Sequence, residues 1–148
     1  MRKNKPKYLF IGLGTMGYSM SGHLSKDPNI DLYVFNRSNL VTKRWLKDFN
    51  GLEFKLSKDS KNKFNGLITC LKDDSSIVEV LIKNNFIGLL KSNAFVIDHS
   101  TTSLQLIKNI SSNKKFISNK ISFFDAPVSG GEVGAINGTL SIMYGGPN

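Results

Sequence analysis

Three glycines near the start of the chain, Gly12, Gly14 and Gly17, have the spacing of a loop that binds phosphate groups. They directly follow a short apolar run at residues 7–11 and open a segment of helical spacing. In this context the first glycine permits a tight turn, the second lets a pyrophosphate approach the backbone, and the third lets the helix pack against the strand. Free N–H groups at the start of the helix attract the anion. The pattern predicts a dinucleotide-binding loop, with a glycine-rich turn that binds nothing as the alternative.

The end of the second apolar run, residues 32–35, bears on which dinucleotide binds. A site for NAD usually has an Asp or Glu there, which accepts a hydrogen bond from the ribose 2′-hydroxyl. This chain has Asn36, Arg37 and Ser38. A neutral Asn36 does not repel a 2′-phosphate, and the guanidinium of Arg37 can pair with it. Ser38 offers a hydroxyl, or else caps the next helix. We therefore expect NADP(H) to be preferred over NAD(H).

A third candidate site is the glycine-rich segment at residues 124–146, which contains Ser129, Gly130 and Gly131. Glycine at high density is costly in entropy unless the backbone turns at positive φ or comes close to a ligand. We expect this segment to form part of a substrate pocket.

Strand-like and helix-like segments alternate along the chain and must position these residues. The expected strands are residues 7–11, 32–35, 54–56, 66–71, 94–97, 121–124 and 140–144. The expected helices are residues 15–25, 40–49, 76–90 with an interruption near 84–85, and 104–110. Such alternation is typical of βαβ units with right-handed crossovers. It predicts an α/β fold, a doubly wound parallel sheet (Rossmann fold), with residues 1–148 forming a single domain.

The composition narrows the classes of function. The chain has 148 residues and a net charge of +9, but its lysines are dispersed, so we expect solvated faces and no nucleic-acid partner. No apolar run is long enough to span a membrane, and the short basic start lacks the apolar core of a signal peptide, so we expect a cytoplasmic protein without a membrane partner. The single cysteine, Cys70, excludes an internal disulfide and is expected to be a buried strand thiol. We expect no metal site.

Several motifs together carry a resemblance to a known family. They are residues 12–20, 36–38, 98–101 and 125–131, with 134–135 and 138–140. These motifs resemble the β-hydroxyacid dehydrogenases, which include 3-hydroxyisobutyrate dehydrogenase and the glyoxylate/succinic semialdehyde reductases and are related to 6-phosphogluconate dehydrogenase. The resemblance runs from the first strand to the final residues and implies the NADP-binding domain of that family, without its C-terminal helical domain.

The resemblance implies site residues, position by position. The implied cofactor-binding residues are Gly12, Leu13, Gly14, Met16, Gly17, Asn36, Arg37, Ser38, Leu71, Lys72 and Thr101. Lys72 stands where the family often has proline, which changes the geometry of that contact. Ser129, Gly130 and Gly131 match the substrate-binding segment, where a hydroxyl and backbone N–H groups would hold a carboxylate.

Three other polar residues in these regions are assigned structural roles. Asp125 is expected to anchor the turn that follows it. His23 and His99 are expected to be structural or surface residues, since the family places no essential histidine at either position.

The resemblance also implies the reaction. Hydride would pass between a nicotinamide cofactor and a small hydroxy acid or semialdehyde. The family's catalytic lysine lies in a Gly-rich Lys-x-x-x-Asn pattern on a helix after the Rossmann domain, followed by the helical domain that closes the pocket and forms the dimer. We therefore expect no catalytic residue among the 148, little turnover by this chain alone, and a homo-oligomer at full length.

One further expectation and two alternative functions follow from the sequence. Without a helical partner, the apolar surface around Leu140 to Tyr144 is expected to be partly exposed. A non-catalytic NADP-binding scaffold stays open as an alternative function. A nucleic-acid partner, suggested by the charge alone, is the remaining alternative.

Overall fold

The computed structural model describes residues 4–57, 60–61 and 63–147, which form an α/β fold around one parallel sheet. The strands of this sheet are Lys7–Ile11 (β1), Asp31–Phe35 (β2), Leu52–Glu53 (β3), Phe64–Thr69 (β4), Leu90–Asp98 (β5) and Ser122–Asp125 (β6). Their order is β3-β2-β1-β4-β5-β6, and every neighbouring pair is parallel. The chain therefore reverses direction across the sheet between β1 and β4, which confirms the doubly wound arrangement.

Helices connect the strands. They are Gly17–Leu24 (α1), Asn39–Asp48 (α2), Asp74–Val78 (α3), Leu104–Ser111 (α4), Lys114–Ser118 (α5) and Gly131–Asn137 (α6). A π-helical turn, Glu79–Lys83, continues α3, and a 3₁₀ turn, Phe86–Leu89, precedes β5. Asn85 separates these turns with φ of 55°, so the predicted interruption near residues 84–85 is confirmed.

The two faces of the sheet are both covered by apolar side chains. Along β1, Leu9 and Ile11 pack into one buried cluster while Phe10 packs into the other, because successive side chains of a strand point to opposite faces. Trp45 of α2 is fully buried, and its indole Nε1–H donates to the carbonyl oxygen of Tyr18 at 3.1 Å. This bond fixes α2 against α1 at the side of the sheet where the glycine loop lies.

The predictions for the third and the last strand are wrong, and β4 and β5 begin earlier than the predicted residues 66–71 and 94–97. The third strand, expected at residues 54–56, is β3 at Leu52–Glu53, and Phe54 lies just beyond it with its ring buried. The last strand, expected at residues 140–144, is only Ser141–Ile142 (β8). It pairs antiparallel with Val128–Ser129 (β7) in a separate two-stranded sheet, because the turn after β6 leads the chain away from the parallel sheet.

Two short helices were not predicted. The first, α5, has five residues, and the second, α6, lies inside the glycine-rich segment. Gly131 and Gly138 stand at the two ends of α6 with φ of 62° and 68°. The glycines there therefore turn the chain into and out of a helix.

None of the helices within the described residues has the length and apolar character needed to span a membrane.

Candidate functional site

The carboxyl ends of β1, β2 and β4 surround a cleft of about 430 Å³. Its lining includes these residues that the sequence predicted to bind a cofactor: Gly12, Gly14, Asn36, Arg37, Ser38, Leu71 and Lys72. Three others, Leu13, Met16 and Gly17, belong to the same glycine loop without lining the cleft. Thr101 is exposed on the loop after β5 and lies outside the lining.

The three loop glycines have three different surroundings. Gly12 has φ of 99°, and a Cβ there would collide with the carbonyl oxygen of Cys70. A Cβ at Gly17 would collide with the carbonyl oxygen of Gly12, so its absence lets α1 begin against the loop. Gly14 has no other heavy atom within 4 Å of a hypothetical Cβ. The first and third glycines are thus required by close contacts with neighbouring carbonyl groups, while the absence of a side chain at the second leaves room for a ligand.

Asn36 ties the glycine loop to the end of β2. Its Oδ1 accepts a hydrogen bond from the N–H of Leu13 at 3.0 Å, and its Nδ2 donates to the carbonyl oxygen of Ser38 at 3.3 Å. The neighbouring N–H of Gly12 donates to the carbonyl oxygen of Phe35 at 3.0 Å. The loop therefore has a fixed position relative to Arg37 before any ligand binds.

The remaining N–H groups of the loop are available to an anion. Over the described part of the chain, no protein acceptor takes the N–H groups of Gly14, Thr15 or Met16. They stand at the start of α1, where the helix dipole also favours negative charge. Thr15 was not among the predicted residues, because its contribution is a backbone group that its side-chain type does not signal.

A buried carboxylate holds the part of the cleft wall that follows β4 and carries Leu71 and Lys72. Asp98 at the end of β5 accepts hydrogen bonds from the Thr69 hydroxyl at 2.8 Å and from the N–H of Ser100 at 3.0 Å. Burial raises the pKa of its carboxyl, against the lowering effect of these bonds. The Ser100 hydroxyl in turn accepts from the N–H of Leu71 at 2.8 Å. Asp98 and Ser100 thus hold the loop that carries Leu71 and Lys72, a role the sequence analysis did not assign although both lie in a motif it quoted.

Another part of the cleft wall comes from α3 and the π-helical turn. The lining residues there are Ser76, Glu79, Val80 and Asn84, and none of them was predicted. Asp73 caps α3 by accepting from the N–H of Ser76 at 2.9 Å, and this bond, together with those from the Ser76 and Ser75 hydroxyls, lowers the pKa of its carboxyl to about 2. Asp73 with Ser76 is a recognisable helix start. No sequence signal marks the wider turn that follows it.

The prediction that Cys70 is a buried thiol within a strand is wrong. The residue follows β4, is only half-buried, and lines the cleft. Burial, followed by the negative charge of Asp98, raises the pKa of its thiol to about 11. The thiol is therefore protonated at neutral pH, which argues against a nucleophilic role.

The predicted substrate-binding residues lie outside this cleft. Ser129 is in β7 opposite Ser141, and Gly130 and Gly131 follow at φ of 136° and 62°. All three of the predicted residues are exposed. The structure therefore does not join them to the cofactor-binding residues in one cavity.

The other polar residues of the segment contact backbone groups. His23 Nε2 lies 3.0 Å from the carbonyl oxygen of Ala135 at the end of α6, and His99 Nδ1 lies 2.7 Å from that of Ala126. Asp125 exchanges two backbone hydrogen bonds with Gly145. Burial, followed by the charge of Asp98, raises the pKa of the Asp125 carboxyl. The contacts of His23 and His99 agree with the structural roles predicted for them. Those of Asp125 are made by its backbone, so the role of its carboxylate stays a prediction.

An apolar groove of about 670 Å³ lies between α1, α6 and β8. The neighbouring Ile142, Met143 and Tyr144 are 54%, 61% and 80% exposed, which confirms the expected exposure of this surface. Among the described residues, no cluster of His, Cys, Asp or Glu could hold a metal ion.

The strand order and the glycine loop at the start of α1 define a dinucleotide-binding Rossmann domain. The sequence profile described as the NAD binding domain of 6-phosphogluconate dehydrogenase matches residues 7–148, and the chain belongs to this family.

Relatives and solved structures place the domain among oxidoreductases. The chain is 34% identical over 141 residues to an uncharacterized oxidoreductase of Shewanella frigidimarina, covering 95% of this chain and 47% of that protein. It is 34% identical over 137 residues to a 3-hydroxyisobutyrate dehydrogenase of Drosophila melanogaster, covering 93% and 41%. The 3-hydroxyisobutyrate dehydrogenase of Mycobacterium tuberculosis has the same fold, with a TM-score of 0.81 at 23% identity over 95% of this chain and 46% of that one.

The chain thus spans about half the length of the curated relatives it matches. It is a nicotinamide-dinucleotide-binding domain of the 3-hydroxyisobutyrate and 6-phosphogluconate dehydrogenase type.

Proposed function

We propose that this domain binds NADP(H) in preference to NAD(H), in the cleft at the carboxyl ends of β1, β2 and β4. The observation that carries the proposal is the end of β2, where Asn36 and Arg37 line the cleft and no carboxylate occupies the position. The Asn36 amide is already held by Leu13, so it stays beside the ribose position as a neutral group. The Arg37 side chain is exposed and available to pair with a 2′-phosphate.

The other predicted residues fit the remaining parts of a dinucleotide. The free N–H groups of Gly14 and Met16 suit a pyrophosphate, and Lys72 adds a positive charge to the same cleft. Leu71 lies beside them, held through Ser100. Thr101 stands on the neighbouring loop, where a nicotinamide ribose would lie if the dinucleotide crosses the sheet edge from β2 towards β5.

The whole protein's activity is part of the same proposal. Hydride would pass from the carbinol carbon of a small hydroxy acid to the oxidised cofactor, or from the reduced cofactor to the carbonyl carbon of the corresponding semialdehyde, as the names of the relatives suggest. Ser129, with the N–H groups of Gly130 and Gly131, would hold the substrate carboxylate. A homo-oligomeric state at full length and a cytoplasmic location remain predictions from the sequence.

Fluorescence titration with NADPH and NADH tests the cofactor preference. The wild-type chain should bind NADPH about ten- to a hundredfold more tightly, because a charge-assisted hydrogen bond contributes roughly 1.5–3 kcal/mol. Arg37→Gln should remove most of that preference and leave NADH binding unchanged. Arg44→Gln makes the same change of charge on α2, away from the cleft lining, and should alter neither affinity. Equal affinity of the wild-type chain for both cofactors would overturn the proposal.

A further inference from the structure

Two loops lie side by side at the carboxyl ends of the neighbouring strands β4 and β5. The loop after β4 carries Lys72, and the loop after β5 carries Thr101. Where the loops leave the sheet, the N–H of His99 donates to the carbonyl oxygen of Thr69 at 2.8 Å. The two loops therefore start from a common point that the sheet fixes.

A first side-chain bridge joins the loops close to the sheet. The N–H of Leu71 donates to the hydroxyl oxygen of Ser100 at 2.8 Å. The fully buried Asp98 holds Ser100 in turn, because it accepts from the N–H of that residue at 3.0 Å. This inner bridge is thus anchored to the core.

A second bridge joins the loops further from the sheet. Asp74, the first residue of α3, accepts from the N–H of Ser103 through Oδ1 at 2.9 Å and from the Ser103 hydroxyl through Oδ2. Ser103 is the N-cap of α4. The cap of α3 is the neighbouring Asp73, so the Asp74 carboxylate serves the contact with the other loop.

The two bridges, with residues 71–74 and 100–103 between them, form a closed frame. Lys72 and Thr101 lie within this frame, each between the inner and the outer bridge. Without the outer bridge, only the inner one would hold the loop of Thr101 against that of Lys72. Ordering a loose loop costs conformational entropy on binding, so a frame closed beforehand favours the ligand that contacts it.

We propose that Asp74 is a positioning residue for the nicotinamide half of the cofactor, because it holds Ser103 and thereby fixes the loop that carries Thr101. The inference rests on the proposed function, since it takes Thr101 to lie beside the nicotinamide ribose. It does not depend on which of NADPH and NADH binds more tightly. The adenosine half lies outside the frame, because the residues proposed to bind it are at the end of β2.

Asp74→Ala tests the inference with whole dinucleotides and with their adenosine fragments. Fluorescence titration should show NADPH and NADH each bound about 3- to 10-fold more weakly, because the variant loses both hydrogen bonds to Ser103. The fragments 2′,5′-ADP and 5′-ADP, measured by displacement of NADPH, should bind as to the wild type. Removing a carboxylate near bound phosphates would by charge alone tighten binding, so the direction of the change separates the two effects.

Two variants serve as matched controls. Asp74→Asn removes the charge but keeps an oxygen for the N–H of Ser103 and gains an amide that can donate to its hydroxyl oxygen. It should therefore bind both cofactors with nearly wild-type affinity. Asp48→Ala removes an exposed carboxylate that accepts from the Tyr18 hydroxyl at 2.7 Å, a contact between α2 and α1 outside the cleft lining, and should change neither affinity.

Two further measurements connect the effect to the bridge. In a Ser103→Ala background, Asp74→Ala should weaken NADPH binding less than in the wild type, because one of the two hydrogen bonds is already absent. At saturation, the fluorescence anisotropy of bound NADPH should be lower in Asp74→Ala, because the nicotinamide ring moves more freely, and should recover in Asp74→Asn. A general loss of stability would not change this anisotropy, and thermal denaturation shows whether each variant is folded.

The results that would overturn the inference differ from those that concern the cofactor preference. If folded Asp74→Ala binds NADPH as tightly as the wild type, or loses NADPH and 2′,5′-ADP equally, Asp74 does not position the nicotinamide half. An Asp74→Asn variant as weak as Asp74→Ala would also contradict the inference. Equal affinity of the wild type for NADPH and NADH would overturn the proposed preference alone, since the losses at Asp74 are expected for both cofactors.

Discussion

Asn36→Asp changes the charge at the end of β2 with little change in the size or shape of the side chain. Asp at this position keeps the oxygen that accepts from the N–H of Leu13 at 3.0 Å. It loses the weaker 3.3 Å bond to Ser38 and places a carboxylate oxygen near that carbonyl oxygen. We therefore expect Asn36→Asp to fold with its glycine loop in place. The substitution adds one negative charge to the lining of the dinucleotide cleft.

The expected size of the effect follows from Coulomb's law. At about 4 Å, two unit charges repel by roughly 1 kcal/mol in water and about 4 kcal/mol near a protein surface. Asn36 is half-buried, so a value between these limits applies. NADPH binding should weaken by at least about fivefold. NADH binding should strengthen about tenfold or more, because a carboxylate can accept a charge-assisted hydrogen bond from the ribose 2′-hydroxyl. The ratio of NADPH to NADH affinity should therefore fall by about fiftyfold or more.

Fluorescence titration of the variant with both cofactors measures this fall in the ratio of affinities. Asn36→Ala serves as the comparison, because it removes the acceptor for Leu13 and should weaken both cofactors alike. A folded Asn36→Asp variant with the wild-type ratio of affinities would refute the reasoning, since a carboxylate at this place could not then lie near the ribose.

Other perturbations test the loop, the thiol and the apolar surface. Gly12→Ala should lower the free energy of unfolding by about 2 kcal/mol or more, because φ is 99° and a Cβ collides with the backbone. Gly14→Ala should melt like wild type but bind NADPH more weakly, and equal melting temperatures for the two variants would contradict this. Alkylation of Cys70 at pH 8 should be slow, because a thiol with a pKa of about 11 is only about 0.1% ionised there. Its rate should rise about tenfold per pH unit up to roughly pH 10 and fall when NADPH is bound, whereas a plateau near pH 8 would refute the raised pKa. The chain should self-associate in light scattering through exposed Ile142 and Tyr144, and replacing both by Ser should reduce this. A clean wild-type monomer over a wide concentration range is the opposing result.

The features that follow from backbone constraints were predictable from the sequence. Gly12 and Gly17 are required where any side chain would strike a carbonyl group, so their spacing indicates the loop and its helix when it is taken together with the apolar run before them and the helical spacing after them. Alternating apolar segments likewise predicted the parallel sheet. The contact of Asn36 with Leu13 joins residues 23 positions apart, and no local pattern indicates which backbone group an amide will hold.

Tertiary packing explains the predictions that failed. The helix α6 forms within a glycine-rich run because Gly134 and Ala135 are buried, and a Cβ at Gly134 would come within 3.0 Å of the Leu140 side chain. Glycine there permits close packing at the expense of helix propensity. The third strand ends at Glu53 instead of continuing to residue 56, and the ring of Phe54 packs in the core against those of Phe35, Phe64 and Phe86.

The pairing of β7 with β8 has a consequence for how this region can change. Val128 faces Ile142, Ser129 faces Ser141, and Asp125 bridges to Gly145, all in one antiparallel register without a slip. Because α6 and its flanking turns fill the distance between these partners, one residue gained or lost inside that stretch would reverse which way every later side chain points. Natural variants of this segment should therefore differ by replacement of residues and keep its length constant.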